Sequence, residues 1–220
     1  MSDFLSPIIH AFYVESGASK SECSFEADGQ YHDETLAEYA EQAHNAEALV
    51  FGCFSQLMQR VGSNFLPDQS GIRAQLSAVR RLMRVADRDL FRFYERTDPS
   101  FYSVYRWLLV QFKREVPYRS VSRLWELFWL DHVAPGELHL YVVVALLCAQ
   151  REQILQLPEG EFDQILRFVN SMARRFDVAA AAHLAARLYL RVGRVHGEAS
   201  APHAALHDEP MSPATLHLLF

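Results

Sequence analysis

The chain has 220 residues, of which 50% are hydrophobic and 12% aromatic, and its formal net charge is −6 at pH 7. This length suits one ordinary domain, or one domain with a tail, and the composition excludes intrinsic disorder for most of the chain. Phe is more frequent than Gly or Pro, which is typical of a packed helical protein.

The charge is unevenly distributed along the chain. Between Glu15 and Glu47 nine acidic residues face one base, Lys20, whereas the stretch from Arg60 to Arg123 is dominated by arginine. These arginines are dispersed and lack the interleaved aromatic residues that single-strand binders use. They therefore predict solvated helix faces and no nucleic-acid partner.

The cysteines and apolar runs bear on the cellular compartment. Cys23, Cys53 and Cys148 are far apart and show no C-x-x-C spacing, which indicates neither a disulfide framework nor a zinc site. The most apolar run, 138–148, is shorter than the roughly 20 residues of a transmembrane helix. We expect a cytoplasmic protein without a membrane-spanning segment.

The first part of the chain predicts a helix followed by a polar insertion. Apolar residues at helical spacing predict a helix over 4–13, with Ser6 as N-cap and Pro7 as first helical residue. The acidic segment of about 15–44 is interpreted as a flexible insertion whose later part is weakly helical.

Amphipathic helices are predicted next. Two of them cover 50–61 and 72–86. A short aromatic segment, 90–94, precedes the strongest periodic signal, which predicts a helix over 101–115. Pro117 ends that helix, because proline disfavours helical geometry in its predecessor, and another helix follows from residue 121.

The last third of the chain is also predicted to be helical. A helix is predicted over 138–155, where length and the lack of a partner strand favour a core helix over a buried strand. A final amphipathic helix covers 162–176, the segment 179–190 is alanine-rich, and a disordered tail is expected from Gly193. No hairpin signal occurs, so the predicted fold class is all-α.

No residue pattern predicts a cofactor, a metal or self-contained catalysis. His203 and His207 have i, i+4 spacing but lie in the tail without carboxylates at ligand spacing. His132 and His139 flank a loop between helices, where we expect cap or surface roles. No Gly-rich phosphate loop, G-x-S-x-G or H-E-x-x-H motif occurs.

Two arginines stand out because each lies on or beside an apolar helix face. Arg106 and Arg114 are interpreted as members of buried or half-buried ion pairs rather than as catalytic groups. Their candidate partners are Glu115, Glu126 and Asp131.

Three segments between Arg106 and Asp131 resemble a known family. They read R-W-L-L, F-K-R-E-V-P and R-L-W-E, followed by a further tryptophan and an aspartate. In this order they resemble the TBC domain of Rab GTPase-activating proteins. The resemblance extends over about 1–178, interrupted by the acidic insertion, and leaves 179–220 as an alanine-rich helix and a disordered tail.

The resemblance implies an irregular multi-helix TBC-like fold and structural roles for eight residues. Trp107, Trp125 and Trp129 are expected to be core anchors. Asp3 is expected to orient the family's catalytic loop by capping its helix. The full set is Asp3, Arg106, Trp107, Arg114, Glu115, Trp125, Glu126 and Trp129.

The resemblance also implies what activity requires. The family supplies an arginine from I-P-x-D-x-x-R and a glutamine from Y-x-Q-G, and an arginine given in trans accelerates GTP hydrolysis ~10³ to 10⁵-fold. The sequence contains neither motif, since Asp89 to Arg92 has only the D-x-x-R spacing and Arg92 is interpreted as a surface arginine. The opening M-S-D-F-L-S-P-I resembles residues that follow Y-x-Q-G. We therefore expect a TBC-like domain that lacks its N-terminal part, with no catalytic residue.

Three functions are compatible with these features. The first is a truncated, inactive fragment of a Rab GTPase activator in vesicle trafficking. Such a fragment is predicted to expose apolar helix faces, because these faces would pack on the missing part. The others are a protein that binds a Rab-type GTPase without accelerating hydrolysis, and a helical scaffold. The expected partner is a Rab-type small GTPase, and no cofactor is expected. The protein could also attach peripherally to endomembranes through its partners.

Overall fold

Helices account for all the regular secondary structure in the computed structural model, which describes residues 2–12, 33–130, 134, 136–175 and 177–197. Two 3₁₀ turns, Gly62–Phe65 and Tyr102–Val104, precede α3 and α5. In chain order the α-helices are α1 (Ser2–His10), α2 (Asp33–Val61), α3 (Ser70–Ala86), α4 (Arg88–Thr97), α5 (Tyr105–Leu109), α6 (Tyr118–Trp129), α7 (Leu138–Ala149), α8 (Arg151–Ile154), α9 (Phe162–Ser171) and α10 (Val178–Gly197). The predicted all-α fold class is confirmed.

The centre of the fold is α7, which is hydrophobic on all sides. Every residue from Leu138 to Leu147 is buried, and the helix packs against α3, α5, α6 and α10. A helix without a polar face requires neighbours all round it, which these four helices provide. The predicted core helix is present, but it ends at Ala149 because the Gln150 N–H bonds back to the Leu147 carbonyl at 3.1 Å. The chain continues into α8 as a separate turn.

The first helix begins earlier than predicted. Since α1 starts at Ser2 and contains Pro7, the prediction that Ser6 is its N-cap is wrong. A proline inside a helix cannot donate a hydrogen bond to the preceding turn. Contacts with α2 and α6 hold α1 in place, and the Ser6 carbonyl accepts a bond of 2.7 Å from the Tyr118 hydroxyl of α6.

The second helix is longer than predicted. It begins at Asp33, so the later part of the expected insertion, 33–44, belongs to the helix that continues to Val61. Residues 33–49 contain neither Gly nor Pro and are rich in Ala and Glu, which favour helix. Residues 15–32 of the expected insertion lie outside the described part of the chain.

The predicted helix over 101–115 is wrong. A 3₁₀ turn, the short helix α5 and a series of turns over 110–116 occupy this stretch. Phe101, Gln111 and Phe112 have positive φ values of 56°, 44° and 61°, so the chain reverses where a helix would continue. The apolar periodicity arises because these turns are packed into the core.

Three other boundaries differ from the predictions. The aromatic segment 90–94 lies within α4, and the helix predicted over 162–176 ends at Ser171, ahead of a turn in which Arg174 has a φ of 62°. The residues 193–197, predicted as tail, belong to α10.

The alanine-rich helix α10 is part of the hydrophobic core. Ala181, Ala185, Leu188 and Val192 are buried and join the same apolar cluster as α7. Small side chains allow the two helices to approach closely along their length. Some sequence-based interpretations concern residues outside the described part: Cys23, Asp131, His132, His203, His207 and the segment 198–220.

Candidate functional site

The residues that carry the family resemblance meet at one corner of the fold, where α1 and α6 contact the turns 110–116. Asp3 comes from the first turn of α1, while Lys113 and Arg114 come from the turns. We call Asp3, Lys113 and Arg114 the α1 clamp. The geometry of this corner depends on how α5 ends.

Helix α5 ends in a Schellman motif. The Phe112 N–H bonds to the Trp107 carbonyl at 2.8 Å, and the Gln111 N–H bonds to the Leu108 carbonyl at 3.3 Å. This pair of bonds requires a left-handed residue, usually glycine, and Gln111 occupies that position. The apolar contact that accompanies the motif is formed by the Trp107 and Phe112 rings, whose centroids are 5.6 Å apart. The motif turns the following charged residues toward α1.

A buried ion pair closes the same turn. The Glu115 side chain is 0% exposed, and its carboxylate accepts bonds from Arg106 Nε at 2.6 Å and Arg106 Nη2 at 3.0 Å. The Glu115 carbonyl accepts a bond of 2.6 Å from the Arg174 N–H. A buried carboxylate is tolerated only when it is paired and hydrogen-bonded. This pair is among those expected from the sequence.

The α1 clamp joins the turn to the start of α1. The Asp3 side chain is 15% exposed and accepts bonds from Arg114 Nη2 at 2.7 Å and Arg114 Nε at 3.2 Å, while Lys113 Nζ lies 3.3 Å away. The Arg114 bonds hold the pKa of the Asp3 carboxyl below its usual value, against the opposing effect of burial. Arg114 therefore pairs with Asp3 rather than with the partners expected from the sequence. Asp3 holds the turn against α1, and its expected role in capping the helix stays a prediction.

The three tryptophans differ in their environments. Trp107 and Trp125 are buried, and the Trp125 indole N–H donates a bond of 2.9 Å to the Gln111 carbonyl. Trp129 is half-buried, with its ring centroid 5.3 Å from that of Trp125. Phe4 of α1 packs on Trp125 with centroids 5.5 Å apart, so one indole links α1, α6 and the turn.

An apolar groove runs beside this corner between α1 and α6. It encloses about 370 Å³, and Glu126, which is exposed, lies on its edge. On α2, which contributes Cys53 to the groove, Leu49 is 56% exposed and Phe51 is 71% exposed. The groove is lined by Pro7, Ile8, Ala11, Phe12, Cys53, Ser122, Trp125, Glu126, Trp129 and Leu130.

Other candidate groups do not form a chemical site. Arg92 is exposed and pairs with Asp89 one helical turn earlier, as expected for a surface arginine. Within the described residues, no group of three or more His, Cys, Asp and Glu side chains could hold a metal ion. None of the described helices has the length and hydropathy to span a membrane. Burial raises the pKa of the Cys148 thiol to about 11, which makes it a poor nucleophile.

The expected cap or surface role of His139 is wrong, since Glu137 is the N-cap of α7. His139 lies in the first turn of α7 and is buried, with Nε2 3.0 Å from Gln75 Oε1. Gln75 Nε2 in turn donates a bond of 2.6 Å to Asn64 Oδ1. Burial lowers the pKa of His139 to about 4, so the ring is neutral at neutral pH. This chain of side chains ties α7 to α3 and to the turn before it.

Some contacts of the corner are absent from the sequence-based predictions. Lys113 was not assigned a role, and Gln111 lies in the left-handed region without the glycine that signals it. Asp3 is separated from Arg114 by 111 positions, so no local pattern links them.

The helical fold and the family match define the class of proteins. The structure resembles the crystal structure of the Ypt/Rab-GAP domain of Gyp1p with a TM-score of 0.67, at 20% sequence identity, over 88% of this chain and 58% of that one. This likeness shows an all-helical fold of the Rab-GAP type. The family model described as the Rab-GTPase-TBC domain matches residues 33–155. The chain belongs to this TBC domain family.

Its relatives are longer proteins. GTPase-activating protein GYP7 of Debaryomyces hansenii is 34% identical over 150 residues, which cover 68% of this chain and 20% of that protein. Human Small G protein signaling modulator 1 is 34% identical over 149 residues, covering 66% and 13%. Human TBC1 domain family member 17 is 35% identical over 133 residues, covering 60% and 20%. The chain therefore matches a fifth or less of the length of these relatives.

Proposed function

We propose that the chain binds a Rab-type small GTPase and takes part in regulating it in vesicle trafficking. The observation that carries this proposal is the family match over residues 33–155, together with relatives named as GTPase activators or G-protein signaling modulators. The α1 clamp supports it, because it joins the opening segment, which resembles residues that follow the family's Y-x-Q-G, to the turn that contains F-K-R-E-V-P. The same proposal locates the chain in the cytoplasm, with attachment to endomembranes through its partner.

We further propose that the 220 residues alone do not accelerate GTP hydrolysis. Acceleration in trans depends on a cation that stabilises the transition-state charge and on a group that positions the attacking water. The sequence contains neither I-P-x-D-x-x-R nor Y-x-Q-G. Arg92, which has part of the first spacing, forms an ion pair with Asp89. The two motifs that the family uses for this chemistry thus have no counterpart in this sequence, and we propose structural roles for the eight family-motif residues present.

The domain organisation is part of this proposal. We assign residues 1–178 to the TBC domain and 179–220 to a C-terminal extension, which contains all of α10 except its first residue, Val178. Since α10 packs on α7, this extension shares the core of the domain and is expected to be needed for its stability.

Two measurements on the purified chain test the proposal. Immobilised chain is exposed to a panel of Rab-type GTPases loaded with a non-hydrolysable GTP analogue or with GDP, and retained GTPase is quantified. Single-turnover hydrolysis of GTP is then followed with the GTPase that binds best. We expect retention of at least one GTPase and a hydrolysis rate equal to its intrinsic rate. Acceleration by ~10³-fold, the lower end for a supplied arginine, would show that a catalytic group exists in the chain.

A helical scaffold is the second candidate function. The exposed apolar groove between α1 and α6 favours it, because contiguous apolar surface marks sites of protein contact. If no GTPase of the panel is retained in either nucleotide state, this scaffold function replaces the binding function.

A further inference from the structure

One face of α3 carries a row of arginines. Arg73, Arg80, Arg81 and Arg84 are all exposed, and Ser77 lies among them. The helix contains no acidic residue, although the chain as a whole has a net charge of −6. We call these five residues the α3 stripe.

Helical geometry places the stripe on one side of α3. At about 100° per residue, its five positions fall within an arc of roughly 100°, and Arg73 and Arg84 are about 17 Å apart along the axis. Ile72, Leu76, Val79 and Met83 of the same helix are buried in the core. Because this apolar face fixes the rotation of α3, the stripe is held toward solvent.

Only part of the positive charge of the stripe is neutralised. Arg80 pairs with Glu95, with Nη2 2.7 Å from Oε1. Asp68 lies next to the N-terminal end of α3, where its carboxylate accepts a bond of 3.0 Å from the Ser70 N–H. No ion pair among the described residues involves Arg81 or Arg84. The C-terminal half of the stripe therefore retains a local positive charge.

We propose that the α3 stripe binds the anionic phospholipid surface of a membrane. Clusters of four or more basic residues on one helix face attract anionic lipids through charge alone, without a shaped pocket. The inference does not depend on the proposed GTPase binding.

The composition of the stripe favours lipid over other anionic partners. The fully buried core of a protein–protein interface is mostly apolar, whereas the arc from Arg73 to Arg84 contains only arginine and serine and has no apolar residue to form such a core. Single-stranded nucleic acids require free aromatic side chains for base stacking. The arc has none, and the neighbouring Phe91 ring already lies against the Arg80 guanidinium, with Arg80 Cζ 5.7 Å from its centroid. A row of mobile lipid headgroups needs only exposed cations with long, flexible side chains.

The expected interaction is weak and depends on salt. Each basic residue near an anionic surface strengthens partitioning by about 5-fold, and stable attachment requires a second contact. Screening over a Debye length of about 8 Å at physiological ionic strength weakens the attraction. The stripe would thus orient the protein on the membrane, while a second contact provides stable attachment.

The test measures partitioning of the full chain onto vesicles by co-sedimentation. Vesicles of phosphatidylcholine alone are compared with vesicles containing about 30% phosphatidylserine, at low and at physiological salt. The variant is Arg81→Ala with Arg84→Ala. The matched control, Arg123→Ala with Arg175→Ala, removes two exposed arginines from α6 and from the turn after α9. Circular dichroism and thermal unfolding establish that all variants are folded.

We expect the wild-type chain to bind the anionic vesicles selectively and to be released by salt. Replacing Arg81 and Arg84 should lower the partition coefficient about 25-fold, since each arginine contributes about 5-fold. The control variant should lower it less than about 3-fold, because charges outside the α3 stripe are screened from the membrane. Equal losses in the two double variants would overturn the proposal. Equal binding of the wild type to neutral vesicles, or no binding to anionic vesicles at low salt, would also overturn it.

Discussion

The Asp3 carboxylate and the Arg114 guanidinium lie side by side, with Arg114 Nη2 2.7 Å from Asp3 Oδ2 and Arg114 Nε 3.2 Å from Asp3 Oδ1. This two-bond arrangement fixes the orientation of both groups as well as their distance. It joins the first turn of α1 to the turns after α5. The pair therefore acts together with the Tyr118–Ser6 hydrogen bond and the Phe4–Trp125 contact in holding α1 on the rest of the fold.

Replacing Asp3 by Asn should destabilise the fold modestly. The amide keeps the size of the side chain but loses the charge that Arg114 and Lys113 bind. Since Arg114 is 58% exposed, solvent screens the interaction, and we expect a loss of about 1 kcal/mol in the free energy of unfolding. Urea unfolding at neutral pH measures the change. The matched control is Asp163→Asn, which breaks the exposed Asp163–Arg167 pair and should change stability by less than about 0.5 kcal/mol.

The same contact predicts a pH dependence. The Arg114 bonds lower the pKa of Asp3 in the folded protein below the value of about 3.9 for an unperturbed aspartate. As the pH falls, the Asp3 carboxylate is therefore protonated first in the unfolded chain. The stabilisation by Asp3 is thus present above about pH 4 and is lost as the pH falls through the folded pKa. The stability difference between wild type and Asp3→Asn should shrink over that range. A difference that stays constant down to about pH 2 would contradict this role of the charge.

The Arg106–Glu115 pair should contribute more than the α1 clamp. Arg106→Ala leaves the Glu115 carboxylate buried without its cation, and we expect a loss of about 3 kcal/mol. The double variant Arg106→Met, Glu115→Leu removes both charges and should be more stable than Arg106→Ala. The matched control is Arg80→Ala, which breaks the half-exposed pair with Glu95 and should cost less than about 1 kcal/mol. Chemical unfolding of the four proteins measures these differences.

The periodic helices could be predicted from the sequence because a packed face leaves a repeated signal. The apolar spacing of Ile72, Leu76 and Val79 identifies α3, and the uninterrupted apolar run from Leu138 identifies α7 as a core helix. The break after α5 could not be predicted in this way, because its buried turns have the same apolar spacing as a helix. The ion pair of Arg106 could be anticipated from its place on an apolar face.

Contacts between distant segments were beyond the reach of local patterns. Nothing near Asp3 identifies Lys113 and Arg114 as its partners, since the contact arises only when α1 packs on α6. His139 follows a glycine-containing loop, which favours a surface role. Its burial depends on the way the first turn of α7 packs against Gln75 of α3.

Gln111 offers a test of the Schellman motif. Residues with a Cβ adopt its backbone φ of 44° only at a cost in conformational free energy, whereas glycine adopts it freely. Gln111→Ala removes the side-chain amide but keeps the free-energy cost of the positive φ. Gln111→Gly removes both the amide and that cost. We expect Gln111→Gly to be more stable than Gln111→Ala by about 1 kcal/mol. Thermal unfolding of the pair measures this difference, and the opposite order would mean that the turn relaxes out of the left-handed region.

His139 makes the stability of the fold sensitive to mild acid. Burial lowers its pKa to about 4, while the unfolded chain protonates it near pH 6.5. The unfolded state therefore binds more protons between these values, so stability falls as the pH decreases from about 6.5 toward 4. Between pH 7 and pH 5 the loss attributable to His139 should reach about 2 kcal/mol. In His139→Gln, whose Nε2 can donate to Gln75 Oε1 without titrating, this part of the pH dependence should disappear. Urea unfolding of both proteins over this pH range tests the prediction, and parallel curves would show that His139 is not the group that responds.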